Sequence, residues 1–303
     1  MMNMADNLWI ILIGSLVATS CAVVGCFLVL RRLSMLGDAI SHAVLPGIVI
    51  AFMFTGSRNI VFMLIGAMAM GMLTAFLTDM LSRFGKLQSD AAMGVTFTWL
   101  FAIGVILVSK FTGMVDLDVD CVLYGDIVYA PFDTIIVGGR NYGPRAVWFT
   151  GLVCIANLLF VGLGYKQLKV CAFDAGLAAS IGIPVALWHY LLMGFVSLTT
   201  VASFESVGAI LVVAMLIVPP NIAYMLTDRL SHMLVIAIIA GILSAVGGFF
   251  LATWLDGAIA AAMAVVSGGL YILAALFAPR HGVLAKYLAH RNLDLRPPET
   301  LGL

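Results

Sequence analysis

Apolar residues fill nine long runs of this chain, and most breaks between the runs carry glycine, polar or charged residues. A helix needs about 20 residues to cross the hydrocarbon core of a bilayer. Lipid offers no partners to free backbone groups, so runs of this length must be helical. The pattern predicts an all-α polytopic integral membrane protein with eight or nine transmembrane helices. The nine runs cover approximately residues 8–30, 36–55, 60–82, 91–109, 147–165, 184–204, 207–226, 231–254 and 257–279.

Turn-forming and charged residues mark three of the breaks, at 56–59, 83–90 and 227–229. The longer segment 111–146 has polar ends around an apolar stretch, 127–137, that is too short to span a membrane. We expect this segment to form an outer loop, either without regular structure or with one short helix partly inserted in the membrane.

The composition excludes a soluble globular protein. Of the 303 residues, 63% are hydrophobic and 10% are charged, whereas a soluble domain carries about 25% charged residues. The net charge is zero, which gives no indication of a nucleic-acid partner. The five cysteines show no C-x-x-C spacing, and we interpret them as packing residues. The first run lacks the features of a cleaved signal, so we expect a retained span.

The positions of lysine and arginine predict the orientation, because cytoplasmic loops are enriched in them. Eleven of the fifteen fall on the side of Arg31 and Arg32. We therefore expect the N-terminus outside and the C-terminus in the cytoplasm. In the expected outer loop, aspartates outnumber arginines by five to two. This excess of negative charge indicates either a vestibule that attracts cations or an ordinary solvated loop. The aspartates are Asp116, Asp118, Asp120, Asp126 and Asp133.

The second run carries an ionisable pair, Asp38 and His42, followed by Pro46. Residues four apart share a helix face. Pro46 has no N–H to offer to the carbonyl of His42, and its ring opens that turn, so we expect Pro46 to kink the helix or act at a gate. Ionisable groups in a membrane span point to function. Carboxylate and imidazole suit zinc, manganese or ferrous iron. The alternatives are that Asp38 caps the helix and that His42 is a neutral histidine bonded between helices.

Several motifs together resemble the membrane permeases of manganese, zinc and iron ABC importers. The most specific is Arg-Arg-Leu-Ser at 31–34 running into Gly-Asp-Ala-Ile-Ser-His-Ala-Val-Leu-Pro-Gly at 37–47. Five further segments follow in the family's order: 89–94, 123–127, 172–183, 207–220 and 279–282. The chain departs from the family pattern in an apparent insertion at 138–144 and in an acid, Glu205, where the family varies.

The resemblance implies the fold and function of an ABC importer permease in the bacterial cytoplasmic membrane. It implies a second permease subunit, identical or different, two cytoplasmic ATP-binding subunits and an extracytoplasmic metal-binding protein. Asp38 and His42 are then ligands of the transported ion, with no permanently bound cofactor. Residues 1–279 form the permease domain, in contact with membrane lipid, and 280–303 a cytoplasmic tail.

The segment 172–183 resembles the family's cytoplasmic coupling helix, which contacts the ATP-binding subunit. Its candidate contact residues are Phe173, Asp174, Ser180 and Gly182. We expect Asp174 to cap a short helix and Gly182 to end it. Such a helix could seat in a groove of the ATPase, although a plain connecting loop is the alternative.

Other polar and proline positions leave alternatives open. Glu205 is either an outer gate, a metal relay or a capping acid. Pro219 and Pro220 either end the seventh span or form a hinge near the inner gate. We interpret His189 as a lone structural histidine and Asp79 as a residue at the membrane interface. These are all positions in or beside apolar runs.

The chain lacks a G-x-x-x-x-G-K-[ST] phosphate loop, so we expect a transport subunit that is not an enzyme and whose energy comes from a separate ATPase. Two rival functions stay open. One is the permease of a cobalamin, haem or siderophore importer. The other is a secondary transporter or channel, in which internal repeats are common, and no clear repeat is visible here.

Overall fold

The computed structural model describes residues 4–55, 60–111, 127–137 and 140–278, and these residues form a helical bundle with one short hairpin. The helices are α1 Met4–Leu30, α2 Ser34–Thr55, α3 Ile60–Phe84, α4 Ser89–Phe111, α5 Arg145–Phe173, α6 Ala175–Ser180, α7 Val185–Val207, α8 Ala209–Leu226, α9 Leu230–Leu255 and α10 Ile259–Phe277. All except α6 are long and apolar enough to cross a membrane. The prediction of an all-α polytopic membrane protein is therefore confirmed.

The fifth predicted span was too short. Helix α5 continues past residue 165 to Phe173 and has 29 residues, a length of about 44 Å at 1.5 Å per residue. The added residues include Lys166, Gln167 and Lys169, which favour helices, and no proline interrupts them. The two lysines consequently lie on the helix and not on a separate loop.

The segment before α5 contains a β-hairpin. Strand β1, Thr134–Val137, pairs antiparallel with strand β2, Arg140–Pro144. The apolar stretch 127–137 is not helical, because residues 127–132 form turns and the β-branched residues that follow favour a strand. A short inserted helix elsewhere in 111–146 stays a prediction, since residues 112–126 lie outside the described residues. Part of the apparent insertion at 138–144 is the returning strand. The aspartates from 116 to 126, segment 123–126 and residues 279–303 lie outside the described residues.

Helix α1 forms the centre of the bundle. It packs against α5, α7, α8 and α9, and Ile10, Ile13 and Phe27 are fully buried. Small residues let its neighbours approach closely, as is usual between membrane helices. A Cβ added at Gly25 would collide with the carbonyl oxygen of Leu216 in α8.

Helix α8 runs through Pro219 and Pro220 to Leu226, so the interpretation that these prolines end the seventh span is wrong. Pro220 cannot donate to the carbonyl of Leu216, and that carbonyl lies against the backbone of Gly25. Neighbouring protein can support a proline inside a membrane helix, and both prolines are buried. A hinge at this position stays a prediction.

Helix α2 is held between α3 and α4. A Cβ on Gly47 would lie 2.5 Å from the carbonyl oxygen of Gly66 in α3, and a Cβ on Gly104 of α4 would lie 2.8 Å from Cδ of Pro46. These close approaches fix the depth and rotation of α2. Pro46 is therefore buried in a helix–helix contact, inside α2 and not at its end.

Short links join most consecutive spans, so their directions alternate along the chain. We call the end where α1, α3 and α5 finish and where α2, α4 and α7 begin the α6 end, because α6 lies there. Contacts between α1 and α9 agree with this arrangement, since Cys26 near the end of α1 reaches the carbonyl of Met233 near the start of α9.

Candidate functional site

Asp38 and His42 lie one turn apart on α2, with Nε2 of His42 3.6 Å from Oδ1 of Asp38. The helix begins at Ser34, so Asp38 is already inside it, and the alternative that Asp38 caps the helix is wrong. The preceding turn places Arg32 at a φ of 58°, which ends α1 and redirects the chain into α2. Both side chains are thus carried on a regular helical turn.

The pair occupies a partly uncovered side of α2. The side chains of His42 and Asp38 are 39% and 42% exposed, whereas Ala39, Ile40 and Ala43 between and behind them are buried. A carboxylate is costly against lipid. This face therefore has to meet water or another protein when the chain is in a membrane.

Two aromatic rings of α4 support the imidazole of His42. Its ring centroid lies 5.8 Å from that of Phe97 in a tilted arrangement and 5.8 Å from that of Phe101 in an edge-on arrangement. Such geometries are favourable between ring systems. Neither phenylalanine is recognisable as part of the site from the sequence. Their spacing of four on an apolar helix was the available signal, but it does not reveal which helix they face.

This chain offers two side-chain ligands at this position. Across the described part of the chain, no group of three or more His, Cys, Asp or Glu residues is placed to hold a metal ion. Glu205 lies in the last turn of α7, and its side chain is outside the described residues. The alternating directions put that turn toward the opposite end of the bundle from Asp38. A role for Glu205 as an outer gate or metal relay stays a prediction.

The short helix α6 forms as its sequence predicts. Oδ1 of Asp174 accepts a hydrogen bond from the backbone N–H of Leu177 at 2.9 Å, which caps the helix. Gly182 follows with a φ of 83°. Its N–H donates to the carbonyl of Ala179, and the N–H of Ile183 donates to that of Ala178, as in glycine-ended helices.

Three apolar side chains on and beside α6 are exposed. They are Phe173 at the end of α5, Leu177 within α6 and Ile181 just after it, whereas Ala178 is buried. We call these three side chains the exposed row. Ser180 donates to the carbonyl of Leu177 at 2.8 Å and so closes the helix locally. An exposed apolar row on a capped helix between two long spans is typical of a contact surface.

The family model for the ABC 3 transport family matches residues 4–278. The chain belongs to the ABC 3 transport family. Residues 8–285, over which its motifs resemble metal-importer permeases, fall almost entirely inside this match. The resemblance inferred from those motifs is confirmed, and this permease is a multi-pass membrane component of a transport system.

Curated relatives and a solved structure resemble the permease over nearly its whole length. It is 52% identical over 291 residues to the manganese transport system membrane protein MntD of Bacillus subtilis strain 168, covering 96% of this chain and 98% of that one. It is 42% identical to the zinc transport system membrane protein TroD of Treponema pallidum strain Nichols, covering 94% and 78%. It resembles a chain of PsaBC from Streptococcus pneumoniae in complex with Fab, with a TM-score of 0.76, 30% identity and coverage of 94% and 95%.

A second group of charged side chains lies at the α6 end of the permease. Nε2 of His189 in α7 is 3.3 Å from Oδ2 of Asp79 in α3, and Nη1 of Arg31 is 3.3 Å from Nδ1 of His189. The interpretation of His189 as a lone histidine is therefore wrong. Its partners are more than 100 residues away along the chain, and no local pattern connects them.

Proposed function

We propose that this permease carries a divalent transition metal, manganese, zinc or ferrous iron, from outside the cell to the cytoplasm in an ATP-driven importer. The observation that supports this most directly is the pair Asp38 and His42, whose side chains lie 3.6 Å apart on a partly uncovered face of a transmembrane helix. The names of the relatives, which are components of manganese and zinc transport systems, agree with such a cargo.

The pair suits a cargo ion better than a permanently held one. A dehydrated divalent ion is costly in an apolar medium unless other groups replace its water. One carboxylate oxygen and one imidazole nitrogen do so in part, and a backbone carbonyl such as that of His42, which Pro46 cannot satisfy, could add to them. Few ligands favour release, which a conducting site requires.

A second permease subunit would complete the site. The uncovered face that holds Asp38 and His42 also carries Met35, and a two-fold axis along this face would bring two such pairs together. Four side chains, two carboxylates and two imidazoles, form a ligand set that suits zinc, manganese or iron. The partner is either an identical or a related chain.

ATP-binding subunits would attach at α6. The exposed row Phe173, Leu177 and Ile181 is short enough to sit in a groove of a partner. Asp174 and Gly182 hold the ends of the helix, so it can act as a rigid contact. An extracytoplasmic metal-binding protein would dock at the opposite end, which carries β1 and β2. The α6 end is then cytoplasmic, as the lysine and arginine positions predict.

The test is metal uptake by the complete transporter in membrane vesicles. Asp38→Ala and His42→Ala are each expected to reduce accumulation of radioactive manganese or zinc to background, while the complex still assembles. Ser41→Ala is the matched control, because the Ser41 hydroxyl donates to the carbonyl of Gly37 in its own helix. Normal uptake by both site variants would contradict the proposal. Uptake of a metal chelate but not of the free ion would support a chelate importer in its place.

A further inference from the structure

Three charged or polar residues from separate helices meet at the α6 end. Arg31 follows α1 directly, Asp79 lies near the end of α3, and His189 lies in the second turn of α7. Arg31 contacts His189 at 3.3 Å and His189 contacts Asp79 at 3.3 Å. The three side chains therefore form a continuous series across three elements, which we call the polar link.

The donor and acceptor atoms of the polar link can be assigned from the chemistry of its three side chains. A guanidinium has only donors, so Nδ1 of His189 must accept from Arg31. The proton of the neutral ring is then on Nε2, which faces the carboxylate of Asp79. This second contact has an ion-pair distance but not the angle of a good hydrogen bond. The series runs from a cation through a neutral ring to an anion.

The same arrangement makes a second metal site at His189 unfavourable. Arg31 occupies Nδ1 of His189, which leaves only Nε2, on the side of Asp79, for a ligand bond. The guanidinium also places a positive charge beside any ion bound there. The pair Asp79 and His189 therefore differs from Asp38 and His42, although both pairs have the same residue types.

The polar link is not fully satisfied. Nε and Nη2 of Arg31 are buried and have no hydrogen-bond partner within the described residues. Burial lowers the pKa of the Arg31 guanidinium, and Cys171 nearby partly offsets this, but an arginine stays protonated. Buried donors without acceptors cost stability. Such an arrangement suits a contact that changes during the transport cycle better than one that only stabilises the fold.

The polar link connects α7, which follows α6, with the turn before the candidate metal site. His189 is in α7, which begins soon after α6. Arg31 stands three residues before Ser34, where α2 starts, and α2 carries Asp38 and His42.

We infer that Arg31, His189 and Asp79 are positioning residues that transmit displacement of α6 to α2 and α3, and so couple the ATPase to the ion site. This inference rests on the proposed function, in which α6 is the ATPase contact. When α6 moves, α5 and α7 move with it, and the polar link passes that movement to the turn between α1 and α2. Without the link, ATP hydrolysis no longer changes access to Asp38 and His42.

The test is the ratio of metal transported to ATP hydrolysed by the complete transporter in liposomes. His189→Leu removes both the acceptor and the donor, and we expect the ratio to fall at least tenfold while ATP hydrolysis continues. His189→Gln keeps a carbonyl acceptor and an N–H donor, and we expect it to retain a ratio near that of the unchanged protein. His232→Leu is the matched control, because His232 is an exposed histidine near the start of α9, at the same end of the bundle.

Each result separates the inference from its alternatives. If His189→Leu lowers transport and hydrolysis in proportion, or if His189→Gln is as impaired as His189→Leu, the polar link does not couple and the inference is wrong. If the leucine variant does not assemble, Arg31→Gln, Asp79→Asn and the double variant decide. Coupled residues give non-additive losses in the ratio, and additive losses would overturn the inference. ATP-independent uptake by the unchanged protein would instead contradict the proposed function.

Discussion

At the scale of single residues, His42 is held from two sides. Its own helix places the carboxylate of Asp38 3.6 Å from Nε2 of the ring, and α4 packs Phe97 and Phe101 against it. A ligand that is already oriented loses less entropy when an ion arrives, so positioning contributes to affinity. The two phenylalanines thereby belong to the site although neither carries a ligand atom.

Phe97→Leu and Phe101→Leu should weaken metal uptake without abolishing it. Ring–ring contacts contribute about 0.5–1.5 kcal/mol, so the concentration of metal that half-saturates uptake should rise by about 2- to 10-fold, while His42 itself remains. The measurement is uptake as a function of metal concentration. Phe62→Leu is the control, because Phe62 is exposed on α3. An unchanged half-saturation in both α4 variants would remove the phenylalanines from the site.

The spacing of Asp38 and His42 could be predicted because both residues lie on one helix, where periodicity alone brings them together. The contacts of His42 with α4, and those of His189 with Arg31 and Asp79, could not. They depend on how the helices are rotated and how deeply they pack, which close approaches such as Gly47 on Gly66 determine. A single sequence does not record those rotations.

At the scale of elements, α6 shows how local sequence and exposure act together. The capping aspartate and the terminating glycine specify a helix of only six residues, and neither depends on distant contacts. The exposed apolar row then lies on a defined surface. Isolated helices of this length are unstable, so the caps and the anchoring by α5 and α7 give the surface its shape.

Leu177→Glu should prevent the ATP-binding subunit from attaching. A carboxylate in the centre of the exposed row of α6 would be desolvated in an apolar groove, which is costly. The measurement is the amount of ATP-binding subunit that copurifies with the permease, and we expect at least a tenfold loss. Leu87→Glu is the control, since Leu87 is exposed in the link between α3 and α4 at the same end. Equal copurification of both variants would show that α6 is not the contact.

The elements that the sequence analysis predicted well are those specified by long apolar runs. Short apolar segments are harder to interpret. The sequence indicates only that 127–137 is too short to span the membrane, whereas its β-branched end pairs with 140–144 in a hairpin. Pro219 and Pro220 suggested the end of a helix, because sequence alone does not show the buried surroundings that let α8 continue.

At the scale of the whole molecule, the uncovered face of α2 is the feature that needs a partner. Met35 precedes Asp38 by one turn and is 61% exposed, so an apolar residue continues the same face. Lipid alone would cover Met35 well but would leave Asp38 poorly solvated. A second permease subunit resolves this conflict, because it supplies polar groups where Asp38 and His42 lie.

A photoreactive residue placed at Met35 should capture that second subunit. We expect p-benzoylphenylalanine at this position to cross-link to the partner permease in intact membranes, whether the partner is an identical or a related chain. The same residue at Leu163, which is 83% exposed on α5, should cross-link to lipid only. Mass spectrometry of the products distinguishes the two. Capture of a partner at position 163 but not at 35 would place the subunit contact on another face.

The central claim is that a bare divalent ion passes the membrane by binding Asp38 and His42. Anomalous scattering from crystals of the complete transporter loaded with zinc tests it most directly, because it locates the ion itself. We predict a peak about 2 Å from a carboxylate oxygen of Asp38 and a ring nitrogen of His42, and its loss in His42→Ala. Zinc located elsewhere in the membrane region, or an unchanged peak in that variant, would contradict the account.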